Sequence, residues 1–309
     1  MSDFFTATVL FSTIAAGIRL STPFLFAGLG EMVGQKSGVL NLGVEGVMLL
    51  SAFFSYWTAL STGSLWLAVL VGLGVGLLMG IIYGLITVRF QAEQGISGIG
   101  IFLFGLGFSD LMFQEKVGTP KFTSKLPSVD IPLLSDIPHV GVALFQHSLM
   151  TYSAFLLVPV VMFTLRRTTF GTNIRAVGEN PESADSLGVS VARVRFSAIL
   201  IGNALAGIAG AALVLQLGIF QPNLTAGRGF IAIALVYFGA WRAPGVMAGA
   251  LLYGGVEATV ITWKALGIIP RSLSDISAMA PAVITVIALV VLARRVKPPA
   301  ALTKPFARH

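Results

Sequence analysis

Apolar residues dominate this chain in long runs, at about 4–34, 39–60, 64–88, 96–113, 147–165, 196–218, 229–263 and 277–293. A helix needs roughly 20 apolar residues to cross bilayer hydrocarbon, so the runs supply about eight to ten spans with modest connections. Two runs are interrupted. The first carries Arg19, Pro23 and Glu31, so it is either one long helix or two short segments. The run 229–263 is long enough for two passes, broken near Trp241, Arg242 and Pro244. The fold expected is therefore all-α: a polytopic integral membrane protein with broken or re-entrant segments, reading as a single transmembrane domain over 1–309.

Composition sharpens this picture. Of 309 residues, 55% are hydrophobic and 11% charged, well under the ~25% charged residues of a typical soluble domain. No room remains for a fused ATPase or solute-binding domain. There is no Gly-x-x-x-x-Gly-Lys-Ser/Thr run, so an ATP-driven activity needs its motor on another chain. With no cysteine, disulfides, thiolate metal sites and Cys nucleophiles are excluded. His139, His147 and His309 are too scattered for a metal cluster, and no cofactor is expected. The formal charge of +7 reads as cytoplasmic loops rather than as nucleic-acid binding. Met1 to Phe5 lacks a basic n-region, so no removable signal peptide is expected.

The basic residues are unevenly placed, which orients the chain. The segment 166–195 holds Arg166, Arg167, Arg175, Arg193 and Arg195, and the tail 294–309 holds Arg294, Arg295, Lys297, Lys304 and Arg308. Both belong on the cytoplasmic side. The loop 114–146 balances its charges, contains Pro120, Pro127, Pro132 and Pro138, and reads as an ordered, non-helical outer loop. Gly72, Gly76, Gly80 and Gly84 recur every fourth residue, and Gly202, Ala206 and Gly210, with Gly245 and Gly249, repeat that spacing. Small residues so placed let helix backbones approach closely.

Two segments concentrate polar chemistry. Residues 30–46 place Glu31, Gln35, Lys36, Asn41 and Glu45 among five glycines at or near membrane depth. Asn41 and Glu45, four apart, share a face if both are helical. They line a polar pathway, or Glu31 is a proton-relay carboxylate, or the segment is an elbow whose polar groups satisfy broken-helix backbone. Asn203 and Gln216 are further pathway candidates, each equally suited to an interhelical hydrogen bond, and Asp110 and Glu257 share that ambiguity. In the second segment, Asn180 suits an N-cap, Pro181 the first helical position, Glu182 the positive helix end and Gly188 a terminator. A helix of about two turns, 181–187, is expected between spans on the cytoplasmic side.

The run GEMVGQKSGVLNLGVEGVMLLSAF resembles the first signature of permease subunits from bacterial ABC importers for ribose-like sugars, nucleosides and branched-chain amino acids. TTFGTNIRAVGENPESADSLGVSVARVRFSAILIGNALAGIAGA resembles their coupling-loop region, and GRGFIAIALVYFGAWRAPGVMAGALLYGG a late-span motif of the nucleoside and simple-sugar branch. The resemblance implies a permease half in the bacterial inner membrane. Its implied partners are a cytoplasmic ATP-binding subunit, a second related permease subunit and an extracytoplasmic substrate-binding protein. It also implies that Arg175, Ala176, Gly178, Glu179, Asn180, Ala184 and Gly188 belong to the ATPase-coupling segment, and it implies no covalent chemistry. The rival reading is an ion-coupled secondary transporter or channel using Glu31, Glu45 or Glu257. An intramembrane enzyme is disfavoured by the lack of Cys, His pairs and Gly-x-Ser-x-Gly.

Overall fold

The computed structural model describes residues 6–293 and 297–306. Met1–Phe5, Arg294, Arg295, Arg308 and His309, on which parts of the sequence reading rest, lie outside the described residues. The elements are α1 (Ala7–Lys36), α2 (Val44–Thr62), α3 (Leu65–Gly84, running on into a π-turn Leu85–Arg89), α4 (Gln94–Lys116), β1 (Ser128–Asp130), α5 (Val140–Leu144), β2 (Gln146–Ser148), α6 (Leu149–Arg167), α7 (Thr169–Glu179), α8 (Pro181–Ser186), α9 (Val191–Leu217), α10 (Arg228–Phe238), α11 (Ala243–Ala265), α12 (Ser274–Ala278) and α13 (Ala280–Ala293). Seven of these helices are long and apolar enough to cross a membrane: α1, α2, α3 with its π-turn, α4, α6, α9 and α11. Among the described residues α10 is a further, shorter apolar helix.

The first apolar run is one continuous helix. Pro23 sits inside it, where its ring removes one amide donor, and the hydroxyls of Ser21 and Thr22 turn back onto the Ile18 carbonyl. The run 229–263 does break where expected. Ala240 and Trp241 adopt positive φ (51° and 53°), and Pro244 lies in the first turn of α11. Its first piece, α10, is only 11 residues, about 16 Å, roughly half the hydrocarbon thickness. The irregular segment 218–227 leads into it, and protein satisfies its backbone: Thr123 N donates to Gly218 O, and Gly227 N to Glu45.

Helices α2 and α9 form the axis of the bundle. Of their most apolar stretches, 78% is buried, against 28% for α3 and α4 and 33% for α6, whose outer faces meet lipid or another chain. The glycine row of α3 packs on α9: a Cβ on Gly76 would stand 2.3 Å from the Asn203 carbonyl, and one on Gly72 or Gly80 would strike Ala211 or Asn203. Gly210 does the same against Met48 of α2, and Gly245 and Gly249 against α10 and the turn after it. Close backbone approach is thus what these glycines provide.

The bundle has two ends. One, the loop face, carries 117–148 and the start of α1, where Phe11 stacks on His139 at 5.7 Å. This loop is ordered but not free of helix: α5 closes it beside an antiparallel β1–β2 pair with Ser128 opposite Ser148. The other, the knob face, carries α7 and α8. Residues 297–306 return to the knob face, hydrogen bonded to Gly38 and Gly178.

Candidate functional site

The expected two-turn helix is present as α8, and the caps read from sequence form it. The Asn180 side chain accepts from Ser183 N at 2.9 Å, Pro181 takes the first turn, and Gly188 ends it at φ 84°. Sequence reasoning missed α7. This 11-residue amphipathic helix starts where Thr168 Oγ1 accepts from Gly171 N, and it buries Ile174, Val177 and Gly178. The seven coupling candidates therefore divide. Arg175, Ala176, Glu179, Asn180 and Gly188 are exposed, whereas Gly178 and Ala184 face inward. Leu187 is 84% exposed at the tip of this otherwise polar knob, and it too was missed. A lone leucine flanked by Ser186 and Gly188 was the available signal.

Beneath the knob lies a four-way junction. Gly178 meets the end of α1 so closely that a Cβ would stand 2.0 Å from the Lys36 carbonyl. The late segment straps both pieces together: Ala301 N donates to Gly178 O at 2.9 Å, and Thr303 N to Gly38 O at 3.1 Å. Arg195, at the base of α9 and only 4% exposed, donates from Nε to Ser37 O at 3.2 Å and from Nη1 to Lys304 O at 2.9 Å. Gly38 holds the elbow at φ 90°, with Ala301 O and Arg195 filling the place of a side chain.

From this elbow the chain climbs back to membrane depth. Asn41 and Glu45 do not share a helical face, because α2 begins only at Val44 and Asn41 lies in the irregular segment before it. Two distinct polar clusters result. In the first, Glu31 Oε1 accepts from Gln35 Nε2 (3.0 Å) and from Asn41 N (3.1 Å), and Gln35 Oε1 accepts from Trp241 Nε1 (2.8 Å). Asn41 Nδ2 donates to Asn203 Oδ1 at 3.1 Å, and Asn203 Nδ2 to Ile199 O at 2.9 Å. Asn203 stands about 18 Å along α9 from its start, near the middle of that helix.

In the second cluster Glu45 closes the broken pass. Its Oε1 accepts from Thr225 Oγ1 (2.6 Å) and Gly227 N (2.7 Å), and its Oε2 from Gly229 N (2.5 Å). A carboxylate at the start of α10 satisfies amides that have no helical partner and matches the positive end of the helix. One residue on, Arg228 pairs with Glu257 of α11 at 2.9 Å. Thus Asn41, Glu45 and Asn203, each at most 5% exposed, occupy interhelical hydrogen bonds. Gln216 is half-buried near the loop-face end of α9, its Nε2 without a partner. Asp110 is half-buried on α4 and accepts from Gln114.

Comparison with known proteins finds relatives of this chain along most of its length. The family described as branched-chain amino acid transport system / permease component matches residues 13–293. A nucleoside ABC transporter permease protein, NupC of Lactococcus lactis, is 32% identical over 89% of this chain and 90% of its own. A guanosine ABC transporter permease protein, NupQ of Bacillus subtilis, is 29% identical over 96% and 97%. A permease protein of Haloferax volcanii whose name assigns it to a glucose ABC transporter, TsgC13, is 39% identical over 82% and 78%. No solved structure matches the chain. The chain belongs to the branched-chain amino acid transport system permease family and is a multi-pass permease subunit of an ABC importer.

Proposed function

We propose that this permease forms half of the pathway by which a nucleoside enters a bacterial cell, moved by an ATPase gripping the knob of α7 and α8. The knob face is then cytoplasmic, with residues 297–306 on it, and the membrane is the bacterial inner membrane. The partners are a cytoplasmic ATP-binding subunit, a second related permease and an extracytoplasmic binding protein. Nucleoside is the cargo that the names of NupC and NupQ supply, each similar over about nine-tenths of the chain or more. A simple sugar is the second reading, favoured by the 39% identity to the Haloferax chain.

The junction at Gly178 is the observation that carries the mechanism. ATP binding closes the ATPase pair and displaces the exposed residues of the knob, Arg175, Ala176, Glu179, Asn180 and Gly188. Gly178 passes that displacement to the elbow at Lys36–Gly38 through backbone contact rather than through a pliable side chain. The elbow is continuous with Asn41, Asn203 and Glu45, and Glu45 holds the start of α10. Alternating access then follows as a rigid-body rearrangement around the broken pass. Asn41, Glu45 and Asn203 act here as the fasteners of the moving pieces, and Gln216 is the candidate with a donor left for cargo.

Replacing Glu179 or Gly188 by a bulky basic residue should leave insertion intact and uncouple ATP hydrolysis from uptake. Wild-type uptake in both variants refutes the assignment. Purified chain that concentrates solute in liposomes with an ion gradient and no ATPase supports the secondary-transporter rival instead. Uptake of labelled nucleosides and sugars after deleting this chain decides between the two cargo readings.

A further inference from the structure

A basin on the knob face shares Lys36 and Arg175 with the relay described above, and the proposal made here rests on that reading of the knob. It is a cavity of about 170 Å³ where the ends of α1 and α6, the exposed side of α7 and the start of α11 meet. Lys36, Arg166, Arg175 and Arg242 line it together. Like charges so gathered repel one another: Arg175, Arg242 and Arg166 all act on Lys36, and Glu179 is the acid close enough to offset them in part. Among the described residues the one ion pair is Arg228–Glu257, so none of the four cations is neutralised by a paired carboxylate. The start of α11 adds to the field. Its N-cap is Arg242, no side chain caps it, and Ala243 and Pro244 line the same basin.

An anion seated among the four would relieve that repulsion. The apolar wall identifies which kind. Met162 and Leu165 of α6 line the cavity from the inner side of that helix, and Arg166 at its rim borders the outer face, where Phe163 (62%), Val160 (49%) and Leu156 (66%) are exposed. A phosphate held by the basic rim would have its acyl chains lying along this face. We propose that the basin binds the phosphate of an anionic phospholipid from the leaflet adjoining the knob face, tying α1, α6, α7 and α11 together at one headgroup. Because Arg175 lies on the knob itself, an occupied basin restrains the element that the ATPase is proposed to move, and transport should depend on lipid charge.

The test uses the full chain purified with its associated subunits in nanodiscs, of phosphatidylcholine alone or with phosphatidylglycerol added. Expected is retention of phosphatidylglycerol in native mass spectra and a raised Tm with the anionic lipid. The double variant Arg166→Gln/Arg242→Gln should lower retention about thirtyfold, the loss expected for two basic contacts near an anionic surface. Arg89→Gln, a charge removed elsewhere, should change neither readout and controls for net charge. A parallel arm adds inorganic phosphate to the phosphatidylcholine discs. If phosphate alone reproduces the rise in Tm, the ligand is a soluble anion and the lipid assignment falls. Equal retention in wild type and double variant overturns the site. If the double variant keeps its lipid but loses the ATPase subunit on purification, the basin is a protein contact and the proposal fails.

Discussion

Gly178 of α7 and Lys36 at the end of α1 meet with no space for a methyl group, the Lys36 carbonyl standing 2.0 Å from where a Cβ would be. Gly178→Ala must therefore push the knob off the elbow or unseat the strap held by its own carbonyl. Overpacking of this kind costs about 1–3 kcal/mol. A lowered Tm with uptake falling further than ATP hydrolysis is the expected outcome. Unchanged uptake would show that the contact transmits nothing.

Glu45 accepts from Thr225, Gly227 and Gly229, and all three donors lie at the start of α10 or just before it. Glu45→Ala leaves them without an acceptor, at about 1–3 kcal/mol for each buried group. The variant should be poorly retained in the membrane or melt well below the wild type. Glu45→Gln keeps one acceptor oxygen and should fall between the two when expression and Tm are compared.

Leu187 is exposed and touches no part of the core, so Leu187→Asp should change stability by no more than ~0.5 kcal/mol. A solvent-facing leucine at the tip of the knob is expected to insert into the ATPase. Loss of the ATP-binding subunit on co-purification, at unaltered Tm, is the expected result. Retention of that subunit at the wild-type level would remove Leu187 from the contact.

His147 sits in β2 on the loop face, with Nε2 2.9 Å from Ala143 O. Burial holds its imidazole below the usual histidine range, partly opposed by the Ala143 bond and helped by the nearby charge of Arg19. Because the folded state disfavours the proton, stability is full above the unfolded value near 6.5 and is lost as pH falls through the lower folded value. Protection factors in residues 117–148, corrected for the intrinsic slowing of exchange, should therefore fall on mild acidification. His147→Gln should flatten that dependence.

What was legible in the sequence was what local chemistry decides. Asn180, Pro181 and Gly188 announce α8 because capping is a matter of neighbouring residues, and Gly72 to Gly84 announce a close helix contact by their spacing alone. The break at Trp241–Pro244 could also be read, since Pro and positive-φ turns act on their own backbone. α7 was hidden because its amphipathic run, with Ile174 and Val177 inward, is short and lies between arginines. Least legible was the junction. Arg195 reads as one more basic residue of a loop, and nothing nearby in sequence reveals that it reaches Ser37 in one direction and Lys304 in the other. The backbone of Asn41 was left open between helix and elbow for the same reason: one of its partners, Asn203, is 162 positions away.

The strap has a consequence for biogenesis. Lys304 comes 109 positions after the arginine that holds it, and the last pass must be inserted before it can reach the knob face. During synthesis the elbow and α7 are thus in place before the strap adds its two hydrogen bonds to Gly38 and Gly178. A nascent or truncated chain would display a knob seated on the elbow but not yet tied to it from behind, so completion of the chain is what locks the two pieces as one body.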